Sequence, residues 1–253
     1  MSWKALTPTR KSNKKMNVSK KPNINLFNGD CMEAMKGYAD NHFKIAIVDP
    51  PYGIGFSDYE RGSSGVKVKE RFTKNGKKDW DKGIPNDEYF EQLFRVSKNQ
   101  IIWGGNYFYL QPTQCFIFWY KQNPVPNFAD GELAWTSFKK PAVCIDYRYY
   151  GNLQGKTSVT DEKIHPTQKP IDLYRNTLNK FAEKGMKILD THGGSMTIAR
   201  ACDKEGFDLD LWEIDKDYYS AGVERFQKHI SQGQLFNPAQ EEKQDVTQLS
   251  IGT

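Results

Sequence analysis

Apolar residues fall in short blocks along the chain, and the period inside the blocks changes from end to end. "INLFNGD" and "KIAIVDPPYG" each carry a brief β-prone run closed by a turn signal, so both predict strands running into loops. "CMEAMKGYA" between them has the spacing of a short helix. "NDEYFEQLFRVS" predicts a helix with Asn86 as its N-cap, and "QIIWGG" predicts a second buried strand with a Gly-rich end. "CFIFWYK", "GELAWTSF" and "AVCIDYRYY" are aromatic and β-prone and predict an antiparallel edge. After "HPTQKP" the pattern becomes a helix over Ile171–Glu183, the strand "MKILD", the turn "THGGS", the helix "MTIARACDKEG", the strand "FDLDLWEID" and the helix "KDYYSAGVERFQKHI". Alternation of this kind implies right-handed crossovers and a mostly parallel sheet.

The polar stretches set the boundaries. Residues 1–22 read as a disordered basic arm, 23–230 as a single α/β domain, and 231–253 as a flexible polar tail. Within the domain, 54–84 is rich in Gly, Lys and Ser and too long for an ordinary connection, which predicts a mobile loop. The formal net charge of +5 is unevenly spread. Lys4, Arg10, Lys11, Lys14, Lys15, Lys20 and Lys21 crowd the first 21 residues with no acid among them, and a second basic group occupies the long loop. Clustered positive charge suits a polyanionic partner, because neutralising phosphates releases counterions. The four cysteines, Cys31, Cys115, Cys144 and Cys202, have no paired spacing. They suggest a reducing compartment and neither a zinc site nor a disulfide framework. No stretch has the apolar length of a membrane span or a signal peptide, so a cytoplasmic protein with no membrane partner and no metal is expected.

Two stretches carry candidate chemistry. In Asp49-Pro50-Pro51-Tyr52, two prolines end a strand and remove two backbone donors while leaving their carbonyls free to accept. The result is a rigid group of acceptors beside an aromatic face. In "ILDTHGGSMTIA" a strand ends in Asp190, turns through Gly193-Gly194-Ser195 and enters a helix, and Glu213 ends the next strand about twenty residues later. The turn is not GxGxxG and has no Walker lysine. By itself it suits an adenosyl ligand such as S-adenosylmethionine as well as it suits an ordinary connection.

"DPPYG", "HPTQKP" and "ILDTHGGS", in this order, resemble the amino-methyltransferases that methylate exocyclic nitrogens of DNA bases, in their permuted, β-class arrangement. "GDCMEAMKGYADNHFKIAIVDPPYG", "QIIWGGNYF" and "IHPTQKPIDLY" are similar to the small, phage-associated adenine-N6 branch. The resemblance spans Ile24–Ile230. It implies a Rossmann-like S-adenosylmethionine-dependent methyltransferase fold with circularly permuted motif order. "INLFNGD" would be the third strand, "KIAIV" the fourth, "QIIWGG" the fifth, the aromatic runs the sixth and seventh, "MKILD" the first and "FDLDLWE" the second. Asp30, Asp49 and Asp190 would then lie at the carboxyl ends of neighbouring strands.

The implied activity is site-specific methyl transfer to N6 of an adenine flipped out of double-stranded DNA. The Asp49 carboxylate and Pro50 carbonyl would grip the amine, Pro51 would keep the turn free of donors, and Tyr52 would stack on the base. On the cofactor side Asp190 would accept from the methionine ammonium, with Asp49 close by. Gly193, Gly194 and Ser195 would let the backbone close over the ligand, and His192 would pack within the turn. Glu213 would hold the ribose hydroxyls and Asp30 would lie near the adenine edge. His165, Thr167, Gln168 and Lys169 would wrap the methionine end, with Lys169 a partner for its carboxylate. Met196 stands where the family more often has glycine and would crowd the ligand. Arg61, Lys67, Lys69, Arg71, Lys74, Lys77 and Lys78 would contact the DNA backbone, and about 121–150 would be a target-recognition region. A homodimer and a cognate restriction endonuclease are partners that the resemblance leaves open. The rival readings are a cytosine-N4 methyltransferase, which more often carries Ser before Pro-Pro, and a catalytically weak DNA-binding subunit.

Overall fold

The computed structural model describes residues 21–55, 81, 83–124, 126, 129–150, 153–154, 157–158 and 163–236. The chain opens with β1 (Ile24–Asn28), α1 (Cys31–Gly37) and β2 (Ile45–Val48), followed by α2 (Asp87–Val96) and β3 (Gln100–Trp103). The Asn86 side chain caps α2 as expected, accepting from Tyr89 N–H at 3.0 Å. β4 (Phe116–Tyr120), β5 (Gly131–Thr136) and β6 (Val143–Asp146) follow, and then a separate small sheet of β7 (Tyr149–Tyr150), β8 (Leu153–Gln154) and β9 (Thr157–Ser158). The last part runs α3 (Ile171–Phe181), β10 (Lys187–Asp190), α4 (Thr197–Glu205), β11 (Asp208–Glu213) and α5 (Lys216–Phe236).

The large sheet has the order β1-β11-β10-β2-β3-β5-β4-β6. Its first five strands are parallel, and β5 is antiparallel to both β3 and β4. β2 (Ile45, Ile47) and β10 (Ile188) send apolar side chains to a layer that includes Leu173, Leu178 and Ile198. Ala46, Val48 and Leu189 point the other way, to a layer with Met35, Leu93 and Val96. Burial on both faces explains why these strands read as continuous apolar runs.

The mostly parallel sheet with an antiparallel edge is present as expected: β5 runs antiparallel between β3 and β4, and β6 adds to β4 in parallel. The long link after β3 carries β4 one position outward, and β5 returns into the slot. Thr113 stitches it there by donating to the Thr136 carbonyl at 2.5 Å. Two expectations are corrected. α5 runs on through Phe236, into the stretch expected to be a loose tail, because nothing before Pro238 bars helix. Asp30 is not on a strand next to those of Asp49 and Asp190, because β11 lies between β1 and β10. The basic residues expected to touch DNA, Arg61 through Lys78, lie outside the described residues, as does most of the basic arm.

Met196 precedes α4 with φ 53°, the left-handed conformation that glycine adopts without strain. Its side chain is fully buried and packs against Gly222 of α5. A Cβ on Gly222 would lie 2.7 Å from Met196 Cγ and 2.8 Å from Sδ. Gly→Ala in a helix interior ordinarily stabilises by roughly 0.5–1 kcal/mol. Here Gly222→Ala is expected instead to destabilise by about 1–3 kcal/mol through overpacking, measured by chemical denaturation.

Candidate active site

β2 delivers Asp49 to the carboxyl edge of the sheet, and the two prolines then turn the chain so that the Tyr52 ring folds back over it. The Tyr52 hydroxyl donates to Asp49 Oδ1 at 2.6 Å, and the Lys169 ammonium donates to Asp49 Oδ2 at 2.5 Å and to the Tyr52 hydroxyl at 3.1 Å. Asp81 pins the turn from outside, accepting from Tyr52 N–H at 3.0 Å and Gly53 N–H at 2.9 Å. The Tyr52 ring is seated where it is because Gly104 has no side chain. A Cβ at Gly104 would lie 2.1 Å from Tyr52 Cε1, and Gly104 also has φ +68°. Tyr107 stacks on the Tyr52 ring with centroids 4.9 Å apart and planes at 14°.

Lys169 is buried, with its side chain 4% exposed. Burial disfavours the ammonium, but Asp49 and Glu132 outweigh it and hold the pKa above the usual lysine value. Glu132 Oε2 stands 3.5 Å from Lys169 Nζ, and its Oε1 accepts from Lys121. Burial alone would raise the Glu132 carboxyl, but the two ammonium groups bring it below the usual range. Desolvation and then Asp49 push the Tyr52 phenol well up, so it stays protonated as a donor.

The second half of the site lies beyond β10 and β11. Asp190 is buried and accepts from His192 N–H at 3.0 Å. Burial above all, together with the nearby carboxylates of Asp49 and Glu213, raises its pKa to about 8, while burial lowers His192 to about 4. Neutral His192 shares the Thr191 hydroxyl, 2.9 Å from its Nδ1, and that hydroxyl also meets Tyr89 at 2.7 Å. Gly193 presses so closely on β11 that a Cβ would sit 2.3 Å from Leu211 Cδ2. Glu213 uses both carboxylate oxygens to shape the turn, accepting from Gly194 N–H at 2.7 Å and Asp215 N–H at 2.8 Å. Arg225, buried on α5, donates to the Ser195 carbonyl at 2.7 Å and to Thr197 Oγ1 at 3.0 Å.

A cavity of about 260 Å³ opens between these turns, lined among others by Asp30, Pro51, Asn86, His192, Glu213 and Ile214. Asp30 faces it while capping α1 through Met32 N–H at 2.8 Å. The "HPTQKP" loop is divided in its allegiance. His165 lies against Gly194 and its Nδ1 is 3.1 Å from Thr167 Oγ1. Gln168 accepts from Ile164 N–H at 3.1 Å through its side chain and from the Tyr149 hydroxyl at 2.8 Å through its carbonyl. Lys169 gives its ammonium to Asp49 and the Tyr52 hydroxyl. Glu132, Asp81 and Arg225 escaped the sequence reading. Glu132 had a legible signal, since it shares the inward period of β5 with buried Ala134 and Thr136. Among the described residues, no cluster of His, Cys, Asp and Glu could hold a metal ion, and no helix is long and apolar enough to cross a membrane.

The fold is that of Rossmann-like methyltransferases. The PvuII DNA methyltransferase (cytosine-N4-specific) superposes with a TM-score of 0.51 at 13% identity, covering 87% of this chain and 97% of that one. The M1.HpyAVI complex with S-adenosylmethionine gives 0.49 at 19% identity, covering 80% of this chain and 98% of that one. In sequence, residues 100–224 match the model of the N6_N4_Mtase family, described as DNA methylase. The Type II methyltransferase M2.MboI of Moraxella bovis is 26% identical over 221 residues, 71% of this chain and 78% of that protein. The family match and this relative support a DNA methyltransferase.

Gly104→Ala both strains a left-handed backbone and drives a Cβ into the Tyr52 ring. It is expected to destabilise the fold by about 1–3 kcal/mol and to abolish the Tyr52–Tyr107 stack, read as a change in near-UV circular dichroism.

Proposed function

We propose that the protein transfers a methyl group from S-adenosylmethionine to the exocyclic N6 of a flipped-out adenine in double-stranded DNA, as a β-class, permuted enzyme. The observation that carries this reading is the adjacency of two acids. β2 and β10 are paired in the sheet, Ala46 beside Leu189, so Asp49 and Asp190 end neighbouring strands at one edge. One of them can accept from the target amine while the other accepts from the methionine ammonium.

The cavity suits the cofactor. It is lined by Asp30, Glu213 and Gly29, and Asp190, buried next in the chain to the lining residues Thr191 and His192, would regain its charge when a cation binds beside it. When bound, S-adenosylmethionine supplies an electrophilic methyl on a sulfonium. The protein's part is positional. The Asp49 carboxylate and the Pro50 carbonyl would hold the two amine hydrogens and aim the nitrogen lone pair at the methyl; as the N–C bond forms the S–C bond would break with its electron pair left on sulfur, and the surplus amine proton would pass by way of the Asp49 carboxylate to water. The Tyr52 ring offers a stacking face, which contributes about 1–3 kcal/mol in comparable aromatic contacts. Asp49, rather than the Ser more often found in cytosine-N4 enzymes, favours adenine. The basic segment from Arg61 to Lys78 would track the DNA phosphates, positioning the duplex without reading its sequence.

Tritium transfer from S-adenosylmethionine to mixed-sequence duplex DNA, followed by digestion to nucleosides, tests the reading. Label is expected in N6-methyladenine and is expected to vanish in Asp49→Ala; label in N4-methylcytosine would reverse the base assignment. A second expectation comes from Asp190. Its carboxyl is protonated below about pH 8 in the free protein and must ionise to receive a cation. Cofactor affinity should therefore rise with pH, by up to about tenfold per unit between pH 6 and 8, and level off above. Calorimetric titration should show one proton released at the lower pH, and Asp190→Asn should bind more weakly with a flat pH response.

A further inference from the structure

We propose that Glu132 and Lys121 are positioning residues for Asp49, acting on it through Lys169. This rests on the methyltransferase reading above and adds a role to two residues on the sheet's edge.

Four charges of alternating sign run from that edge to the reaction centre. Lys121 follows β4 and donates to Glu132 Oε1 on β5; Glu132 Oε2 lies 3.5 Å from Lys169 Nζ; Lys169 Nζ lies 2.5 Å from Asp49 Oδ2. The outer end is fixed by the sheet itself. Glu132 pairs in register with Trp119, Lys121 N–H donates to the Asp130 carbonyl at 2.8 Å, and the Lys121 ammonium sits 4.8 Å over the Trp119 ring. The inner end lies among aromatic groups, with Lys169 Nζ 5.5 Å from the Trp103 ring and 5.7 Å from that of Tyr52. Asp190 from β10 and two buried, protonated phenols, Tyr174 from α3 and Tyr89 from α2, also feel the Asp49 charge from the packed elements.

Such a chain is a poor way to gain stability, because well-packed apolar side chains commonly do as well without the desolvation cost of buried charge. Its value lies in geometry. A lysine has a flexible four-carbon stem, and an ammonium drawn by Asp49 alone could swing with it. Glu132 adds a second hold from β5, across β3 from the strand that carries Asp49, and Lys121 keeps Glu132 from collapsing onto Lys169. Glu132 thus shares the ammonium with Asp49, at 3.5 Å against 2.5 Å. With Tyr52 on Oδ1 and Lys169 on Oδ2, the direction of the remaining lone pairs is set before substrate arrives.

Steady-state methyl transfer by the full chain on mixed-sequence duplex DNA, wild type beside Glu132→Gln, Glu132→Asp and Lys121→Met, tests the inference. Glu132→Gln is expected to lower kcat about tenfold while KM for S-adenosylmethionine and for DNA stays within about twofold; Glu132→Asp should restore most of the loss, and Lys121→Met should show a smaller fall of the same kind. An unchanged kcat in Glu132→Gln overturns the inference, as does a loss that Glu132→Asp does not repair. Should Glu132→Gln fail to fold, Lys121→Met decides by the same split, an unchanged kcat there counting against. Absence of transfer by the wild type would overturn the methyltransferase reading, and this inference with it.

Discussion

A lysine ammonium almost out of reach of water is what the candidate site is assembled around. Lys169 comes from the loop ahead of α3, Asp49 and Tyr52 from the end of β2, and Glu132 from β5, so one cation ties three separate parts of the chain. Removing a single partner from a buried ion pair typically costs about 3–5 kcal/mol, because the other charge is left uncompensated. The ends of β2 and β5 and the "HPTQKP" loop therefore cannot move independently, and the Asp49 carboxylate inherits that rigidity.

The rest of the site depends on how closely backbone can approach backbone at the carboxyl edge of a parallel sheet. Gly193 lies against Leu211, and Gly104 leaves room for an aromatic ring. Met196 shows the same requirement met differently. Its position demands a left-handed conformation, and the cost of giving that to a methionine, about 1–2 kcal/mol, is offset by burying the side chain against Gly222. The glycine has in effect moved from the turn to the helix that covers it. Arg225, one turn further along α5, holds the same turn through the Ser195 carbonyl.

The two halves differ in electrostatic character. Around Asp49 the charges alternate and compensate one another, so the groups are oriented without a ligand. Around Asp190 the acids outnumber the cations, and burial suppresses ionisation instead. A preformed acceptor for a neutral amine and a latent anion awaiting a cation are the arrangements that the two proposed ligands call for.

Much was legible in the sequence because it depends on local order. The parallel core strands announced themselves as apolar runs ending in acids, the cap at Asn86 lay three residues before the amide it accepts from, and "DPPY" carried its chemistry in four consecutive residues. The sheet order beyond β3 was not legible, since inserting β5 between β3 and β4 depends on hydrogen bonds between segments that no periodicity relates. Nor was the destination of Lys169. The loop sequence placed it near a ligand, but only the folded chain decides that Asp49 and Glu132 claim its ammonium. Local preference is written residue by residue; a contact across 120 positions between Asp49 and Lys169 exists only when the sheet has brought their strand and loop together.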